Sequence, residues 1–62
     1  MLVKLKGKRV EKGLTQTDIA KLLNMATSTY NFKENGKAEF SMTECIAIMK
    51  ILDCKFEDIF LQ

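Results

Sequence analysis

Few side chains in this sequence could do covalent chemistry. It has no histidine, and Cys45 and Cys54 are its only thiols. A zinc site or a nucleophile–base pair therefore has almost nothing to be built from, and no glycine-rich phosphate loop is present. An enzyme is not expected, nor is a cofactor, a metal or a small-molecule ligand. Charge distribution points to phosphate instead. Residues 1–37 carry eight Lys/Arg against three Asp/Glu, a net +5, whereas residues 38–62 carry two against five, a net −3. A molecule basic at one end and acidic at the other suits one face turned towards phosphates. The cluster Lys4, Lys6, Lys8, Arg9 and Lys12 fits such a face, and equally an ordinary solvated helix surface.

The elements that would carry these groups are helices. A chain of 62 residues makes one domain, 1–62, and buries only about 60 % of its unfolded surface, so its core must be efficient. With 47 % hydrophobic residues, no Pro and three Gly, the composition favours helices over a turn-rich β fold. Five helical segments are expected. The first covers residues 3–12, with Val3, Leu5 or Lys6, and Val10 inward, and stops at Gly13. Thr15 looks like an N-cap, with Asp18 completing an imperfect capping box, ahead of a helix over residues 16–23 that buries Ile19, Ala20 and Leu23. A third helix spans residues 27–34 and is closed by Asn35 and Gly36. Ser41 and Glu44 form a clean capping box for a fourth, running to about Leu52 with Met42, Cys45, Ile48, Met49 and Leu52 inward. A short last helix covers residues 56–61.

Within residues 16–35 the spacing is that of two helices crossing steeply through a short turn. Such a crossing needs a small residue at the closest approach, and Ala20 stands there. It needs a left-handed residue four places on, and Asn is the commonest non-glycine residue in that conformation, as at Asn24. Ile19, Leu23, Met25 and Tyr30 would fill the wedge between the helices.

Several short passages, taken together and in order, resemble the phage Cro/repressor-type helix-turn-helix family. They are Gly13-Leu14-Thr15-Gln16, Ile19-Ala20, Glu34-Asn35-Gly36-Lys37 and Phe56-Glu57-Asp58-Ile59-Phe60, and they extend over nearly the whole chain. The passage from Lys33 to Phe40 looks especially like small regulators of phages of Gram-positive bacteria. The resemblance implies an all-α fold, a compact five-helix bundle of the lambda-repressor-like DNA-binding type, with helices two and three forming the helix-turn-helix. It implies a double-stranded DNA partner and a transcriptional repressor that occludes a promoter. Thr27, Ser28, Asn31 and Phe32 would face base edges in the major groove. Gln16, Thr17, Asn35 and Lys37 would hold phosphates, Gln16 helped by the positive end of its helix. Arg9 and Glu34 match a pair that ties helix one to the end of helix three.

The sequence also departs from the family pattern. Asn24 replaces the usual Gly, and Ala26 stands where a capping Ser or Thr is common, a cost of about 1 kcal/mol. Lys33 takes a usually apolar inward position, so its stem must snorkel. The recognition helix holds neither Arg nor Gln. From residue type alone, Asn31 is either a base reader or a locally capping side chain, and Phe32 either a thymine-methyl contact or a partial core residue. A protein-interaction module using the same fold, such as an antirepressor or a scaffold, is the alternative.

Towards the carboxy end, apolar residues exceed what one small core can use. Ile51, Phe60 and Leu61 are expected at a homodimer interface, which would set two recognition helices one DNA turn, about 34 Å, apart. No signal peptide or membrane span is expected, since the amino terminus alternates Lys with apolar residues and the longest apolar run is short. A cytoplasmic protein follows, with Cys45 and Cys54 as small reduced core residues.

Overall fold

Each of the first four helices stops the same way, and these stops set the architecture. In the computed structural model, which describes residues 2–61, α1 is Val3–Glu11, α2 Gln16–Leu22, α3 Thr27–Glu34, α4 Met42–Leu52 and α5 Phe56–Ile59. After α1, Gly13 takes φ +76° and the Leu14 N–H donates back to Arg9 O at 3.1 Å. After α2, Asn24 takes φ +57° and the Met25 N–H donates to Ala20 O at 3.0 Å. After α3, Gly36 takes φ +80° and Lys37 N–H reaches Phe32 O at 2.9 Å. After α4, Asp53 takes φ +51° and Cys54 N–H reaches Met49 O at 3.1 Å. These are Schellman endings, in which one left-handed residue reverses the chain and satisfies carbonyls the helix leaves open.

Helix starts are set by side chains. Thr15 and Asp18 form a full capping box at α2, and Ser41 and Glu44 do so at α4. Ala26 gives α3 no side-chain cap, as its residue type requires. The chain ahead of α1 is fixed by the Leu2 N–H, which donates to Glu34 O at 2.8 Å.

The five helices enclose one core of Leu5, Ile19, Ala20, Tyr30, Ile48, Leu52 and Ile59, with α2 packed on α3 and α1 on α5. Phe40, Phe60 and Phe56 extend it as an aromatic row from Tyr30, successive ring centroids lying 5.8, 5.8 and 5.1 Å apart. Cys45 is buried and Cys54 half-buried, both as free thiols whose pKa burial pushes up.

Three expectations need correction. Val3 and Val10 face outward, 62 % and 58 % exposed, and α1 instead turns Leu5 and Arg9 inward. These two are four residues apart and share a face, and Arg9 can be buried because a carboxylate meets it there. Met42 is 66 % exposed, since the inward row of α4 begins one turn later at Cys45. The last helix ends at Ile59, leaving Phe60 and Leu61 beyond it, and the fully buried anchor of that segment is Ile59.

Candidate nucleic-acid interface

The outer face of α3 is built from behind. Glu34, in the last turn of α3, is almost completely buried, and a buried carboxylate is tolerable only when its lone pairs are satisfied. Four donors converge on it. Arg9 Nε reaches Glu34 Oε2 at 2.9 Å and Arg9 Nη2 reaches Oε1 at 3.2 Å. Tyr30 Oη donates to Oε2 at 2.6 Å, and Gln16 Nε2 donates to Oε1 at 3.1 Å. The remaining Arg9 arm, Nη1, donates to Leu14 O at 2.8 Å. One node thus ties α1, α2 and α3 together with the turn between α1 and α2.

The electrostatics follow from this geometry. Burial pushes the Glu34 carboxyl up, but bonds from Arg9, Tyr30 and Gln16 and the guanidinium charge outweigh it, holding its pKa below the usual range. The bond to Glu34 likewise raises the Arg9 pKa. Burial and the same carboxylate raise the Tyr30 hydroxyl well above its ordinary value, so the phenol stays protonated and donates.

Thr27, Ser28 and Phe32 are exposed on α3 and Asn31 is half-buried beside them. At i, i+1, i+4 and i+5 these four share the side of the helix away from the buried Tyr30 and Glu34. Phe32 is 54 % exposed, which excludes the core reading of this ring. The Lys37 ammonium lies 5.6 Å from its centroid, so Lys37 and Phe32 form one cation–π unit at the end of α3.

Of the four residues expected at phosphates, Thr17 and Lys37 are exposed and Asn35 is half-buried as the C-cap of α3. Thr17 Oγ1 and Thr27 Oγ1 are 3.4 Å apart, joining the starts of α2 and α3. Gln16 is placed differently. Both ends of its amide are engaged within the protein, Nε2 on Glu34 and Oε1 accepting from Asn31 Nδ2 at 3.0 Å, which leaves one Nε2 hydrogen for any outside acceptor. Asn31 does not cap its own helix; its partner is on α2.

Two further polar residues matter and carried weak signals. Tyr30 sits one helical turn before Glu34, the spacing at which its hydroxyl reaches the carboxylate. Lys33 does not snorkel to water but bonds Glu44 at 2.7 and 2.9 Å, joining the end of α3 to the capping box of α4. An inward Lys demands an anion, and the capping acid of the next helix supplies it.

Among the described residues no helix is long and apolar enough to cross a membrane. No curated protein matches the chain. The family model described as Helix-turn-helix matches residues 5–59, from the first core residue of α1 to the last of α5. The chain therefore belongs to the helix-turn-helix family, lambda-repressor-like in fold, whose members are DNA-binding regulatory domains.

Proposed function

We propose that this protein is a sequence-specific, double-stranded DNA-binding repressor of the small phage type, acting in the cytoplasm by occupying a promoter. One observation carries the reading. Thr27, Ser28, Asn31 and Phe32 stand together on the outer side of α3, while the Arg9–Glu34 node fixes the same helix from behind. A helix that must enter a major groove needs this combination of displayed contacts and rigid backing. Thr17, Asn35 and Lys37 flank it and take phosphates, with the second Nε2 hydrogen of Gln16 available for another.

The protein pairs on DNA through its carboxy-terminal end. Leu61 is 55 % exposed, Phe56 is also exposed, and Ile51 and Phe60 are only half-buried against the core. Large apolar groups left in water at one end of so small a molecule favour a two-fold contact. Glu57 and Asp58 lie among them, which makes this end a poor surface for phosphates.

Selection of bound sequences from a random duplex pool, followed by sedimentation of the complex, tests the proposal. An inverted repeat occupied by two chains is expected. A site without symmetry, saturated by one chain, removes the dimer. Failure to enrich any sequence removes specific recognition.

A further inference from the structure

The hydrogen bonds behind α3 have a direction, and the direction reaches the exposed face. An ionised carboxylate only accepts, so Glu34 forces the Gln16 amide to present Nε2 to it. Gln16 Oε1 is then the end turned to Asn31, and because a carbonyl oxygen also only accepts, Asn31 must present Nδ2. What is left of that amide is Oδ1, with the second Nδ2 hydrogen beside it; Asn31 Oδ1 has no partner among the described residues, and no buried side-chain N or O atom among them lacks one. Oδ1 is therefore open to solvent, on the side of α3 that carries Thr27, Ser28 and Phe32. An asparagine is ordinarily free to turn its amide over and offer a donor or an acceptor as the partner requires. Here flipping would set Oδ1 against Gln16 Oε1, and flipping both would set Gln16 Oε1 against Glu34, so each alternative opposes two acceptors.

Resting on the reading of α3 as the groove-facing helix, we infer that Asn31 recognises an exocyclic amino group in the major groove, adenine N6 or cytosine N4, through an amide held in the accepting sense by Gln16 and Glu34. In the major groove only these two bases project donors, while guanine and thymine present acceptors. Gln16 acts here as a positioning residue. Its contribution is the orientation of the Asn31 amide, separate from any phosphate it meets.

The test compares sequences selected from a random duplex pool by the wild-type chain, Asn31→Ala and Gln16→Ala, with folding of each checked by circular dichroism. Asn31→Ala should lose preference at one base pair of the site and keep the rest. At that base pair, adenine is then replaced by purine, or cytosine by 2-pyrimidinone, each lacking the amino group. The replacement should weaken the wild-type chain about tenfold or more and leave Asn31→Ala unaffected. Which analogue has the effect tells adenine from cytosine. Gln16→Ala frees the amide and should admit guanine or thymine at that one position, a readout that a merely structural role would not move. An unchanged profile for Asn31→Ala, or an amino group removable without loss, overturns the inference while DNA recognition stands. Absence of binding to any duplex at low salt overturns the reading of α3 on which it rests.

Discussion

Breaking the Arg9–Glu34 pair should bring this protein close to unfolding, although neither residue is apolar. Both are nearly inaccessible to water, and Arg9 supplies two of the four bonds to the carboxylate. Arg9→Ala leaves Glu34 buried with only Tyr30 and Gln16 as donors, and Glu34→Ala leaves the guanidinium with Leu14 O alone. Removing one partner of a buried ion pair costs about 3–5 kcal/mol, because the other charge stays desolvated. A folded chain of 62 residues has a total stability of roughly 3–9 kcal/mol, so either change removes a large part of it. Arg9→Met with Glu34→Leu, which removes both charges and fills the space, should cost far less than the two single losses together. Urea denaturation followed by circular dichroism reads this out. With a slope of about 1 kcal/mol/M for so small a chain, the single variants should shift the midpoint by about 3–5 M, and an excluded osmolyte would keep them folded at the start. Two single variants each within about 0.5 kcal/mol of wild type, with no coupling, would refute the assignment of the node as the support of α3.

Three further outcomes follow from the same geometry. Replacing Thr27, Ser28, Asn31 and Phe32 together by Ala should abolish sequence preference and retain non-specific binding to duplex; survival of the selected site would contradict the role of α3. Lys37→Ala should weaken binding to all duplexes alike and reduce the salt slope by about one, whereas a changed sequence preference without general loss would place Lys37 at a base. Glu34 and Glu44 have folded pKa values below their unfolded ones, Glu34 through the bonds that outweigh its burial and Glu44 through Lys33. Their contribution is thus complete above the unfolded value of about 4.3 and is lost as pH falls through the folded value, so denaturation midpoints should drop below about pH 4, less so in Arg9→Met/Glu34→Leu. Equal acid sensitivity of wild type and that double variant would remove Glu34 from this account.

What could be read from sequence depended on how far apart the interacting residues lie. Gly13, Asn24, Gly36 and the boxes at Thr15 and Ser41 act within a few residues, so residue type and spacing were enough to place the helix ends. Asp53 ends α4 in the same way, although an aspartate followed by a cysteine is a weaker left-handed signal than Gly or Asn. Apolar pattern alone points to the wrong inward face for α1, because valine is more apolar than arginine and only a carboxylate 25 residues away makes burial of Arg9 favourable. Lys33 with Glu44, and Gln16 with Asn31, are pairings of the same kind, fixed by tertiary approach. The resemblance supplied Arg9 with Glu34, but not Tyr30 and Gln16 as the other donors on that carboxylate.

The most direct test of the central claim is the affinity of the wild-type chain for a selected, fluorescently labelled duplex, measured by anisotropy across a range of salt concentrations. DNA binding through this face predicts that the logarithm of the association constant falls linearly with the logarithm of salt, by about 0.9 for each phosphate neutralised, with non-specific duplex bound more weakly and with similar salt sensitivity. Absence of measurable binding at low salt, or an affinity indifferent to salt as an apolar protein interface would give, contradicts it.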